Sequence, residues 1–225
     1  YFWEWFHRFF ARFIGALYLF PMIYLLITKQ IKKKFLVKLI LVGFLLCIQA
    51  IIGWYMVKSG LIGRVDVSQY RLAMHLTMAF VILGITFNIF LENNLRLVNN
   101  NYFNFKSNYE FLFLLSLIFI FLQIAYGAFV SGTHSGLLFN TWPFYNGSMF
   151  PFIENNELSG LINFFETGEY IIFIHRTFAI FLLLLVLSIN YIFFKTNDVA
   201  KKNILLIIFN ISFLSQILLG ILITY

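Results

Sequence analysis

Six apolar runs, at about residues 7–28, 36–57, 70–91, 110–131, 169–194 and 203–225, make up most of the chain. At 1.5 Å rise per helical residue, a run of this length spans roughly 30 Å, the thickness of a bilayer's hydrocarbon core. The runs do not alternate apolar with polar positions, and they are far longer than the ~10 residues of a membrane barrel strand. They predict helices. Lipid offers no water to the backbone, so a spanning segment must satisfy its own amides and carbonyls, as a helix does.

The polar residues between the runs set an orientation. The loop after the first run carries Lys29, Lys32, Lys33, Lys34 and Lys38, the loop after the third carries Arg96 and Lys106, and the loop after the fifth carries Lys195, Lys201 and Lys202. Short positive loops are retained in the cytoplasm, so these are expected on that side. The segment between the fourth and fifth runs has no Lys or Arg between Lys106 and Arg176 but holds Glu154, Glu157, Glu166 and Glu169, and is expected to face outward. The Lys29 to Lys38 cluster also suits an anionic lipid surface, although topology alone explains it.

Composition removes the soluble alternatives. With 61% hydrophobic and 11% charged residues, the chain is expected to be an all-α integral membrane protein. The excess of 16 Lys and Arg over 9 Asp and Glu lies in the short loops, so it reads as topology and not as nucleic-acid binding. One cysteine, Cys47, cannot form a disulfide framework or a CxxC site, and it reads as a small buried hydrophobe. The chain opens at Tyr1 without a methionine or signal peptide and closes at Tyr225 with an apolar run, and it is expected to be trimmed at both ends.

One phrase occurs twice. His7-Arg8-Phe9-Phe10-Ala11-Arg12-Phe13 and His175-Arg176-Thr177-Phe178-Ala179-Ile180-Phe181 agree at five of seven positions. Each places an imidazole and a guanidinium near the end of a membrane segment, where ionisable groups are costly and mark function by default. From His7 to Gln49, which begins Gln49-Ala50-Ile51-Ile52-Gly53, is 42 residues, and from His175 to Gln216, which begins Gln216-Ile217-Leu218-Leu219-Gly220, is 41. A third such spacing joins Gln123 to Gly127. Its plainest reading is packing, since glycine permits close helix approach and glutamine bonds across an interface.

The copies lie four runs apart, and an even offset keeps them parallel. Two parallel four-helix repeats are expected, 1–109 without its first helix and 110–225 without its last, so that six of eight transmembrane helices are present. His75 lies 26 residues after Gln49, and its counterpart is expected the same distance past Gln216, outside this sequence.

His7, His75 and His175 all fall toward the expected outer ends of their helices. Two histidines at one depth on two helices of a bundle suit a haem, whose iron takes imidazole nitrogens as axial ligands. His7 with His75 supplies one pair, and His175 with the absent histidine the other. Arg8 and Arg176 offer planar donor forks that suit haem carboxylates. The 31 phenylalanines could line a macrocycle, though core and lipid contact explains them more simply. Zinc is disfavoured by the lack of HExxH and of thiolate pairs. Glu4 precedes His7 by three residues and shares its helix face. A carboxylate at the mouth of an apolar haem pocket can accept or relay protons, while a solvated acid or a partner of Arg8 explains Glu4 equally well. His134 has no counterpart in the repeat and reads as solvated.

Several stretches resemble haem A synthases of the mitochondrial and alphaproteobacterial kind: Glu4-Trp5-Phe6-His7-Arg8, Gln49 through Leu61, Gln69-Tyr70-Arg71-Leu72-Ala73-Met74-His75-Leu76, Gly127-Ala128-Phe129-Val130-Ser131-Gly132, Asn140-Thr141-Trp142-Pro143 and His175-Arg176. The resemblance covers essentially the whole chain. It implies oxidation of the C8 methyl of haem O to a formyl group, giving haem A for cytochrome c oxidase. It further implies that His7 and His75 hold the substrate haem, that His175 is one ligand of a haem b cofactor, and that Glu4 is the essential carboxylate. Other members carry a cysteine pair in an outer loop, which this chain lacks. The partners implied are a haem O synthase (farnesyltransferase) as substrate source, cytochrome c oxidase assembly, an unidentified electron acceptor and membrane lipid, with homo-oligomerisation left open. The location implied is a bacterial inner membrane, multi-pass, with haem sites near the periplasmic side.

Two other classes fit parts of the pattern. A b-type cytochrome taking electrons from quinol also wants paired histidines. A transporter also shows parallel repeats, but its polar or broken helices lie at the midplane, whereas the polar residues here gather at one end.

Overall fold

The computed structural model describes residues 2–60, 67–94, 108–151, 160–196 and 204–223. Arg96, Lys106, Glu154, Glu157, Lys201, Lys202, Leu61 and the terminal Tyr1 and Tyr225 lie outside the described residues. Every expected run is helical: α1 (Phe2–Thr28), α2 (Lys33–Gly60), α3 (Gln69–Asn94), α4 (Asn108–Gly132), α6 (Gly168–Thr196) and α7 (Ile204–Leu222), with a one-turn helix α5 (Asn163–Glu166) before α6. Among the described residues, five helices are long and apolar enough to cross a membrane. The sixth, α7, is helical over 19 residues, and its apolar stretch Leu206–Leu222 is shorter than the other five. The helices mostly outrun the apolar runs because their polar end residues continue the hydrogen-bond ladder. α1 in particular begins at Phe2, so Glu4 and His7 stand on one continuous helix.

Hydroxyls within the spans turn back onto their own helix. Thr86, Ser116, Thr177 and Ser188 each donate to the carbonyl four residues earlier, at about 2.8 Å. In lipid this bond removes the need for an outside partner. Cys47 departs from expectation. It is exposed on α2, because an apolar helix can turn small hydrophobic side chains toward lipid as readily as toward protein.

Two compact units can be distinguished. The first comprises Tyr1–Ser59 with Met78–Val98, and the second Gly60–Thr77 with Asn99–Tyr225, so α3 is divided between them. In the first, Val42, Ile82 and Ile89 form the buried core, surrounded by Tyr18, Phe35, Met78 and Ile85. Gly43 makes the close α1–α2 contact possible, since a Cβ there would stand 3.1 Å from the Tyr18 ring. The Tyr18 hydroxyl then donates to the Leu39 carbonyl. Lys38 of α2 pairs with Glu92 of α3, half-buried at the end of this unit away from His7.

In the second unit α4 and α6 pack together, with Ala73, Tyr126, Ala128, Phe129 and Ile171 as the core. A neighbouring cluster of Phe139, Tyr145 and Ile172 secures the loop after α4. Asn190 of α6 and Asn210 of α7 exchange amide hydrogen bonds at 2.7 and 3.0 Å. A reciprocal amide pair satisfies both side chains where water is excluded, and so joins these two helices.

Candidate functional site

His175 lies two turns inside α6, partly buried, with α4 alongside. On α4, Gln123 and Gly127 are one turn apart and share a face. The Gln123 amide nitrogen is 3.2 Å from His175 Nε2. A Cβ on Gly127 would sit 3.3 Å from His175 Cε1 and 3.9 Å from Nδ1, so the ring occupies the space that a side chain would need. His175 Nδ1 and Gln123 Oε1 are both buried, with no hydrogen-bond partner among the described residues.

The adjacent Arg176 is 8% exposed. Its Nη1 donates to the carbonyls of Thr141 at 3.0 Å and Phe144 at 3.3 Å, and its Nη2 donates to that of Phe139 at 3.2 Å. The guanidinium also lies over the Tyr145 ring, 4.8 Å from its centroid. A loop folded against the end of an apolar bundle has carbonyls that need donors, and one planar fork supplies several at once. Burial pushes the Tyr145 phenol above its ordinary pKa, and the neighbouring guanidinium opposes part of that rise. The haem-carboxylate role expected for Arg176 therefore competes with three carbonyls already in place.

His75 is partly buried on α3, and the start of that helix is fastened by residues that sequence reasoning gave no role. Gln69, 8% exposed, donates to Glu166 Oε2 at 3.0 Å, while the Tyr70 hydroxyl donates to Glu166 Oε1 at 2.5 Å. Gly132 at the end of α4 accommodates this approach, since a Cβ there would meet the Gln69 Cα at 2.8 Å. Glu166 entered the sequence reading only as loop charge. The Gln123 to Gly127 spacing was visible, but as packing.

His7, Arg8 and Glu4 stand on α1 in the first unit, all exposed, whereas His75 belongs to the second unit. Arg8 and Glu4 form an ion pair one turn apart, with both side chains open to the surroundings. His134 is exposed and sits in the left-handed region, φ 54°, where it opens a short 3-10 turn.

The imidazole of His175 is the kind of donor that a haem iron takes. A neutral imidazole is a common iron ligand, and its second ring nitrogen is ordinarily held by a neighbouring polar group. Gln123 is the polar neighbour of Nε2 here, and among the described residues neither Nδ1 nor the amide oxygen has a hydrogen-bond partner.

Long apolar helices that bring a glutamine-held imidazole and a buried guanidinium to one end define a multi-pass membrane protein with a buried polar site. The family described as "Cytochrome oxidase assembly protein" matches residues 1–225, and the chain belongs to that family. It is similar to the heme A synthase of Pelagibacter ubique (strain HTCC1062), 38% identical over 98% of this chain and 63% of the relative. It is also similar to the heme A synthases of Wolbachia pipientis wMel, 34% identical over 97% of this chain and 60% of the relative, and of Flavobacterium psychrophilum, 37% identical over 99% and 65%. The chain thus spans about three-fifths of the length of these relatives.

Proposed function

We propose that the protein is a haem A synthase, which oxidises the C8 methyl of haem O to a formyl group and so serves cytochrome c oxidase assembly. The observation that carries this reading is the partly buried His175, held by Gln123 and fitted against Gly127 with a polar atom left unmet on each partner. Family membership and the names of the relatives support it. His175 would be an axial ligand of a resident haem b, and His7 and His75 would hold the substrate haem O. The haem b would supply one-electron redox chemistry when bound.

The residues of this chain would do the rest. The imidazoles would orient the macrocycle so that one methyl is presented for oxidation. Arg176 would keep the loop at 139–145 folded over the end of α6 and so limit water there. Glu4 would take protons released as the methyl is oxidised, with Arg8 holding its carboxylate one turn from His7's own face. Supply by a haem O synthase and transfer of electrons to a separate acceptor belong to the same proposal. So does a place in a bacterial inner membrane with the histidine end outward.

The test is chromatographic and pyridine haemochrome analysis of haems extracted from membranes that contain the complete protein and a supply of haem O. Haem A is expected with the parent and is lost with His7→Ala or His75→Ala. Haem b alone, unmodified under oxidising conditions, would replace this reading with an electron-transfer cytochrome.

A further inference from the structure

The loop after α4 turns polar backbone groups inward and apolar side chains outward, the reverse of a loop that stands in water. We propose that residues 137–150 are seated in the membrane leaflet at this end of the helices, at the border between lipid headgroups and acyl chains.

Depth comes first. The apolar span of α6 runs over 28 residues, about 42 Å of helix, whereas the hydrocarbon core is roughly 30 Å thick. With the excess shared between the two ends, about 6 Å of α6 stands among headgroups at its start. Ile172 lies one turn past Gly168, at that border, and Arg176 lies about 6 Å deeper. The loop packs along this same stretch. Phe139 and Tyr145 share a buried cluster with Ile172. The Tyr145 and Phe150 rings lie 6.0 and 5.9 Å from the ring of Phe173. Arg176 in turn holds the carbonyls of Phe139, Thr141 and Phe144. A segment fastened between Ile172 and Arg176 of a spanning helix lies beside lipid and not above it.

Its chemistry matches that depth. From Thr133 to Pro151 the sequence has no Asp, Glu, Lys or Arg. Leu137, Met149 and Phe150 are 75%, 74% and 66% exposed, and Leu138, Trp142 and Phe144 are exposed as well. In water these side chains would leave an uncovered apolar patch, whereas the border of a leaflet accepts them and favours Trp in particular.

Backbone polarity is what keeps irregular segments out of lipid. Here much of it is met from within. Besides the three carbonyls on Arg176, Thr141 Oγ1 donates to the Phe144 carbonyl at 2.8 Å and accepts from the Asn146 amide at 2.9 Å. Tyr145 and Ser148 exchange both of their amide–carbonyl bonds, at 2.8 and 3.1 Å. The other backbone groups have headgroups and water within reach at this depth, so the border fits and the hydrocarbon interior does not.

The test places a spin label on the complete protein in phosphatidylcholine vesicles, with its other cysteines, Cys47 included, replaced by serine. Collision with oxygen, which concentrates in lipid, is compared with collision with a water-soluble nickel chelate. Leu184→Cys, exposed in the middle of α6, gives the lipid value, and Lys33→Cys, exposed at the start of α2, gives the water value. Labels at Met149→Cys and Leu137→Cys should show an oxygen-to-nickel ratio several-fold above that of Lys33→Cys and below that of Leu184→Cys. A ratio equal to the water value overturns the proposal. So does a label that neither reagent reaches, which would mean that a second copy or another protein covers the loop. Adding Arg176→Ala should bring the ratio at 149 down to the water value while the label at 184 keeps its own. An unchanged ratio at 149 in that variant overturns the link between the inward hydrogen bonds and the seat in the leaflet.

Discussion

The chain writes His-Arg twice, and the two copies are put to different uses. In the second unit Arg176 is 8% exposed, with three backbone carbonyls and an aromatic face around its guanidinium. In the first unit Arg8 has 47% of its side chain exposed and pairs with Glu4, on a helix with no buried residue among those described. The difference lies in what surrounds the dipeptide. After α4 a loop folds back toward α6 and brings carbonyls that need a donor, whereas Arg8 has an acid one turn earlier on its own helix. A repeated motif therefore identifies a place in the fold without fixing what its side chains do there.

The largest effect expected from breaking this contrast is at Arg176. Arg176→Ala removes the donor from the carbonyls of Phe139, Thr141 and Phe144 and leaves them at the end of an apolar bundle. A hydrogen bond from a charged group contributes about 1.5–3 kcal/mol, so a loss of about 3 kcal/mol or more is expected. Thermal unfolding in detergent should record it, and limited proteolysis should show new cleavage within 139–145. Arg176→Lys keeps the charge but not the fork, and should recover less than half of the loss.

A second contrast is between two glycines. At Gly132 a Cβ would collide with the Gln69 backbone at 2.8 Å, while at Gly15 of α1 nothing lies within 4 Å. Gly132→Ala should therefore cost about 1–3 kcal/mol, as overpacking does. It should also separate Gln69 from Glu166, which hydrogen-exchange protection over 160–166 would report. Gly15→Ala should be neutral or stabilising by up to ~1 kcal/mol, because alanine is the better helix former. Equal melting temperatures for the two variants would mean that the α3 start is not fastened as described.

These contrasts mark the reach of the sequence. The helices were legible because an uninterrupted run of about twenty apolar residues admits few other structures. Their ends were placed within a few residues, since polar caps carry little signal. His175 and Arg176 stood out in the sequence through the repeat. The partners of Arg176 did not, because they are backbone carbonyls, which every residue carries. The latch on Glu166 was hidden by distance, since Gln69 lies 97 residues away in sequence. At Gln123 and Gly127 the spacing was in plain view, but the sequence could not say which ring the glycine makes room for.

The smallest expected effect closes the comparison at Arg8. An exposed pair one turn apart on a helix contributes at most a few tenths of a kcal/mol, so Arg8→Ala and Glu4→Ala should each leave the melting temperature close to the parent's. The informative variant is Glu4→Gln, which keeps the shape and removes both the negative charge and the proton-accepting oxygen. If Glu4 serves only Arg8, haem A output by the complete protein should be unchanged at equal haem content. If Glu4 takes protons from the substrate, output should fall by roughly 10²–10⁴-fold, the usual range for a lost acid–base group, while stability does not move. Arg8→Ala then separates the remaining possibilities. A carboxylate that works without its ion-pair partner retains most of its output, whereas one that depends on Arg8 for its orientation loses output in parallel with Glu4→Gln.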